Sequence, residues 1–112
     1  TSIGFPEDLI SKTAKAKEMR GGFRYIHALC PCPTGWRIPE KEAIEIARLG
    51  VDCGMWLLYE IDHGDFKLTY KPRKRKPVEE YLSRQGRFSH LTPKDIEMIQ
   101  SEVDQQCGKH NF

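Results

Sequence analysis

Cys30 and Cys32 stand one residue apart in the run CPCPTGW, each followed by proline, directly after the apolar stretch FRYIHAL. Thiols have four ordinary uses: packing, a disulfide, zinc ligation and iron ligation. A Cys30–Cys32 disulfide would close a very small ring through Pro31, far from relaxed disulfide geometry. Zinc usually announces itself as two ligand pairs at short spacing, whereas here a single Cys-x-Cys is accompanied by His27 and a solitary Cys53. The plain alternative is that Cys30, Cys32, Cys53 and Cys107 all pack as small hydrophobes. The prolines on both sides of Cys32 remove backbone donors and stiffen the loop, a setting that presents a thiolate in a fixed direction. Such presentation suits one ligand of a shared metal centre, and iron–sulfur clusters require soft, anionic sulfur.

The surrounding elements must hold that loop. Pro6 to Met19 sets Leu9, Ile10, Thr13, Ala14 and Ala16 on one side at helical spacing and runs into Gly21-Gly22, which predicts a helix with a glycine stop. Phe23 to Leu29 is short, aromatic and apolar, and predicts a buried strand, placing CPCPTGW on a loop at its carboxyl end. Pro39 to Cys53 is the clearest helix, with Ala43, Ile44, Ile46, Ala47, Gly50 and Val51 on one face. MWLLYEID and FKLTY, separated by His-Gly-Asp, predict a hairpin around Gly64. After Tyr70 the run KPRKRKP should be extended and solvated, Val78 to Leu82 should form a turn or two of helix, and Thr92-Pro93 should cap a last helix carrying Ile96, Ile99 and Val103. His27 reads as a hydrogen-bonded core histidine, His63 and His90 as turn or surface residues, and Trp36, Trp56 and Tyr59 as packing residues.

Composition narrows the function classes. The 112 residues include 18 basic and 16 acidic side chains, a formal net charge of +2, so no global field calls for nucleic acid or an anionic membrane as a partner. The charge is concentrated locally, since five of the six residues from Lys71 to Lys76 are basic. No apolar run approaches the ~20 residues of a bilayer span, and TSIGFPEDL lacks a leader pattern, so the expectation is a soluble, cytoplasmic protein with reduced thiols.

The stretch HALCPCPTGWRIPEKEAIEIARLGVDCGMWLLYEI, followed by KPRKRKPVEEYLSRQGRF, resembles the carboxyl-terminal part of the β subunit of 2-oxoacid:ferredoxin oxidoreductases, most closely pyruvate synthase. The likeness runs from about Pro6 to Leu91 and rests on two separated motifs, PCPTGW and KPVEEYL-x-x-QGRF, in matching order. It implies an α/β fold: residues 1–70 would be the end of a thiamine-diphosphate-binding domain, and residues 71–112 an extended basic segment and helix docking on the rest of a complex. It also implies a [4Fe-4S] cluster whose late ligand is Cys32, with Cys30 a neighbour of the cluster and the fallback ligand. The implied reaction is oxidative decarboxylation of a 2-oxoacid, with pyruvate preferred, to acyl-CoA and CO2, electrons passing through [4Fe-4S] clusters to ferredoxin. The implied partners are the other subunits, ferredoxin, coenzyme A and the 2-oxoacid.

The departures set limits. The family's other three cluster cysteines and its Gly-Asp-Gly motif for magnesium and thiamine diphosphate have no counterpart here, and Gly64-Asp65 reads as a hairpin turn. The resemblance therefore implies a carboxyl-terminal piece or the smaller half of a split subunit, inactive alone, with no catalytic residue of its own. The basic run could face acidic surface on a partner subunit or on ferredoxin. Two other readings stand beside this one: a non-catalytic assembly module that docks through the basic segment, and a small zinc module built from Cys30, Cys32, Cys53 and His27.

Overall fold

The computed structural model describes residues 1–112. Proline opens α1 (Pro6–Glu18), the single turn α2 (Pro33–Trp36) and α5 (Pro93–Lys109), because its fixed φ suits a first helical turn and its missing N–H costs nothing there. α5 starts from a reciprocal capping box: the Thr92 hydroxyl accepts from the Asp95 N–H, and the Asp95 carboxylate accepts from the Thr92 N–H at 2.8 Å. α3 (Ala43–Asp52) follows a 3-10 turn at Glu40–Glu42, and α4 (Val78–Ser83) precedes a second one at Gly86–Phe88. β1 (Tyr59–Asp62) and β2 (Asp65–Leu68) form the expected antiparallel hairpin, Asp62 opposite Asp65. Its two turn residues, His63 and Gly64, both have positive φ, 50° and 93°, as a tight primed turn demands.

The core forms where three helices meet. Ile46 and Leu49 of α3, Val78, Tyr81 and Leu82 of α4, and Val103 and Cys107 of α5 bury against one another with Ile38 and Cys53. Phe5, Val51 and Leu58 make a second, smaller cluster with Trp56 and Tyr70 at its edge. Of the predicted stripe α5 buries Val103 and packs Ile96 and Ile99 half-buried against the core, and the structure adds buried Cys107. Gly50 lies where α3, α4 and the end of the cysteine-bearing segment converge: a Cβ there would stand 2.9 Å from the Tyr81 ring and 3.2 Å from Leu29. A side chain at that position would push apart the elements that carry both motifs.

Two sequence expectations are corrected. Phe23 to Leu29 is not a buried strand: Leu29 alone pairs, in a parallel bridge with Ser2, and Phe23 is 90% exposed. The reason is the lack of a neighbour. Thr1–Ile3 reaches only the far end of the segment, through Thr1 N to His27 O at 2.9 Å, Leu29 N to Thr1 O at 3.0 Å and Ile3 N to Leu29 O at 3.1 Å, and no second strand lies along residues 23–26. His27 is accordingly exposed, its ring edge-on to Trp56 at 4.6 Å, and is not a core histidine.

α1 forms as expected, and it docks by its polar side. Lys12 is buried, donating to Asp8 at 2.8 Å and to Thr69 at 2.9 Å, while Lys15 reaches Glu60 and Asp62 on β1. Burial raises the Asp8 pKa, but hydrogen bonds from Lys12 and Thr69 outweigh it and hold the carboxyl below its ordinary range. Ile10, Thr13 and Ala14 face outward.

The architecture is thus mixed α/β, with one hairpin and one parallel bridge whose two sides are joined through α1. Its radius of gyration, 15.2 Å, exceeds the roughly 13 Å of a compact domain of about 100 residues, which agrees with the apolar surface left open at Ile10, Phe23, Tyr25 and Ile61. No helix is long and apolar enough to cross a membrane.

Ile46 is fully buried whereas Ile44, on the same helix, is 52% exposed. Urea denaturation should therefore show Ile46→Ala losing about 2–5 kcal/mol, with Ile44→Ala within about 0.5 kcal/mol of the parent.

Candidate functional site

Pro31 and Pro33 bracket Cys32, which takes an extended conformation and caps the single turn α2. Its sulfur is exposed and accepts the N–H of Gly35 at 3.3 Å. A Cβ on Gly35 would sit 3.3 Å from that same sulfur, so glycine lets the backbone come close enough to support it. Trp36 N donates to Cys32 O at 2.8 Å, Ile38 N donates to Pro33 O at 3.0 Å, and Arg37 closes the turn in a left-handed conformation. Buried Ile38 then anchors the loop in the core.

The second motif grips this loop from the side. Gly86 N donates to Arg37 O at 3.2 Å, and a Cβ on Gly86 would be only 2.7 Å from the Arg37 Cβ. Arg87 lays its guanidinium over the Trp36 ring at 3.8 Å from the centroid and over Phe88 at 4.5 Å. A contact of this kind contributes about 0.5–2 kcal/mol, depending on how far it is desolvated. Arg87 is itself aimed by Gln85, whose Oε1 accepts from Arg87 Nε at 2.9 Å and whose Nε2 donates to Tyr81 O at 2.7 Å. Tyr81 completes the wall, with its ring edge-on to Trp36 at 6.5 Å. The base of α4 is pinned to the start of α3 by Arg84, which bonds Glu42 and Glu45 through both arms of its fork, each at 3.1 Å to Nη2.

The four cysteines divide by environment. Cys30 and Cys32 are exposed, while Cys53 and Cys107 lie in the core. Burial pushes the Cys53 thiol up to about 11, with the neighbouring Cys107 and Asp52 adding to it, so it stays a neutral packing group. The structure brings no three His, Cys, Asp or Glu side chains together in a metal-binding group, so Cys30, Cys32, Cys53 and His27 do not converge. Taken alone, this chain can offer one soft sulfur ligand, supported by an N–H and carried on a stiff turn.

Sequence reasoning singled out Cys32 but gave no role to Gln85, Gly86 or Arg87. A glutamine only 2% exposed at the end of a helix was the missed signal, since burying its amide demands specific partners. The basic run is outside the sheet, as expected, yet it is tethered. Arg75 turns inward to Asp104 on α5, Lys76 N donates to Asp52 O, and Lys71 bonds Asn111 O. Arg73 and Lys74 remain exposed and make no ion pair. His63 and His90 are exposed, as read, and Trp36, Trp56 and Tyr59 serve packing contacts, Tyr59 stacking on Phe66 at 5.0 Å.

No family model matches the chain. It is 50% identical over 105 residues to the pyruvate synthase subunit PorB of Methanocaldococcus jannaschii, a match covering 94% of this chain and 35% of that protein. It is 51% identical over 106 residues to PorB of Methanothermobacter thermautotrophicus, covering 95% of this chain and 36% of the relative. The chain belongs to the carboxyl-terminal part of the 2-oxoacid:ferredoxin oxidoreductase β subunits. The ketoisovalerate oxidoreductase subunit VorB of Pyrococcus furiosus extends the likeness within that family, at 45% identity over 104 residues, 91% of this chain and 33% of VorB. The chain thus spans about a third of the length of these β-subunit relatives.

Brief alkylation at neutral pH, read by peptide mass spectrometry, should modify Cys30 and Cys32 and spare Cys53 and Cys107. The raised Cys53 pKa also has a pH signature. The folded state keeps the proton while the unfolded chain releases it, so this contribution to stability is complete below the ordinary value of 9.0 and is lost as pH rises towards about 11. Urea midpoints between pH 8 and 11 should fall less steeply in Cys53→Ala than in the parent.

Proposed function

We propose that this chain is the carboxyl-terminal part of a thiamine-dependent 2-oxoacid:ferredoxin oxidoreductase, with pyruvate as substrate, and that Cys32 supplies one thiolate to a [4Fe-4S] cluster. The observation that carries the reading is the convergence of the two motifs on Cys32, whose exposed sulfur rests on the Gly35 N–H. The residues fit the group: a soft donor is free, an amide supports it, and glycine leaves the space that a Cβ would take. The names of relatives matching over 91–95% of this chain favour the same enzyme class, and more of them are called pyruvate synthase than ketoisovalerate oxidoreductase among those cited above.

When bound, the cluster would take up single electrons and relay them towards ferredoxin. The chain's own part is to hold a sulfur still, to limit water with Trp36 and the flanking prolines, and to keep Cys30 beside it as a second thiol. The remaining cluster ligands, and the groups that bind thiamine diphosphate and Mg2+, would come from other parts of the β subunit. Coenzyme A, the 2-oxoacid and the companion subunits would likewise be met mainly outside this segment, and the assembly would work in the cytoplasm.

The test is replacement of Cys32 and Cys30 in turn by serine in the anaerobically purified oxidoreductase that contains this chain. Cys32→Ser should lower the iron content, alter the cluster's EPR signal and reduce pyruvate-dependent ferredoxin reduction by at least about a hundredfold. Cys30→Ser should leave the iron content in place. Full iron and full activity in Cys32→Ser would leave an assembly module as the better reading.

A further inference from the structure

The Gln85-Gly86-Arg87 segment touches the cysteine loop at its backbone and at its aromatic side chain, and it does so from outside the loop's own sequence. Gly86 holds the Arg37 carbonyl, and Arg87 covers the face of Trp36. Arg87 is not a loosely placed surface charge: its Nε donates to the Oε1 of buried Gln85, whose Nε2 donates in turn to Tyr81 O of α4. It forms no carboxylate ion pair, unlike Arg84 three residues earlier, which bonds Glu42 and Glu45. Trp36 follows Gly35 directly, and Gly35 carries the N–H on which the Cys32 sulfur rests. Trp36 N also donates to Cys32 O at 2.8 Å, so the residue that carries the stacked indole is hydrogen-bonded directly to the residue that carries the sulfur.

We infer that Arg87 is a positioning residue for Cys32: stacked on Trp36 and aimed by Gln85, it fixes the direction of the sulfur and of the Gly35 amide beneath it. This rests on the reading of Cys32 as a cluster ligand for its effect on the metal, though its effect on the loop stands without any metal. The planar guanidinium matters as well as the charge, because a lysine ammonium has no plane to lay on the indole and no fork with which to hold Gln85 at the same time. A change in the loop's order would appear at the cluster as a change in potential, since N–H donation to sulfur and exposure to water both set it.

The experiment uses the assembled oxidoreductase and two readouts. Amide hydrogen exchange over residues 33–38 should quicken by at least about tenfold in Arg87→Ala and in Trp36→Leu, with exchange over residues 98–107 of α5 within about twofold of the parent. Arg87→Lys should recover only a small part of the protection. In the same Arg87→Ala preparation the iron content should hold while the midpoint potential and EPR line shape of a cluster shift. Unchanged exchange over residues 33–38 in both Arg87→Ala and Trp36→Leu would overturn the inference. So would equal acceleration across α5, which would mean general loosening, or full rescue by Arg87→Lys, which would assign the effect to charge alone. If Cys32→Ser keeps its full iron while Arg87→Ala still frees the loop, the ligand reading fails and the positioning role survives. If Cys32→Ser loses iron while Arg87→Ala changes neither readout, the positioning role alone fails.

Discussion

Burial of one face of α3 between α4 and α5 is the constraint on which the other features hang. Ile46, Leu49 and Cys53 leave water only by packing on Val78, Tyr81, Leu82, Val103 and Cys107, and that packing fixes where α4 ends. Gly50 permits Tyr81 and Leu29 to approach closely, so the same contact that closes the core also sets the cysteine loop beside the end of α4. Without it, PCPTGW and QGRF would be two short loops with no reason to meet. With it, Gly86 reaches Arg37 and Arg87 reaches Trp36.

The same residue type takes opposite roles on the two sides of this core. Cys53 is desolvated and its thiol is pushed up to about 11, a value at which it serves only to pack. Cys32 is exposed, and its sulfur accepts a backbone N–H. Chemistry at a cysteine is decided by whether the thiolate can be solvated, paired or coordinated, and the fold gives each of these two cysteines a different answer.

α1 meets the hairpin through Lys12, Asp8 and Thr69 and through Lys15 with Glu60 and Asp62, leaving Ile10 and Ala14 outward. Phe23, Tyr25 and Ile61 are exposed as well.

By itself, the sequence determined what depends on near neighbours along the chain. Thr92-Pro93-Lys94-Asp95 could start α5 because cap and first turn lie within four residues, His63-Gly64 could turn the hairpin because a primed turn is a two-residue matter, and α3 could be read from its period. Cys32 could be chosen for its flanking prolines, which stiffen a loop whatever surrounds it. Tertiary structure alone decided the rest. Phe23–Leu29 carries a strand's composition but finds a partner only at Leu29, because sheet formation needs a second backbone and composition cannot supply one. The face α1 buries, the inward turn of Arg75, and the hold of Gln85 and Arg87 on the cysteine loop are likewise contacts between residues distant in sequence. Such contacts are selected by how the whole chain packs, and no local pattern of hydrophobicity, charge or spacing encodes them.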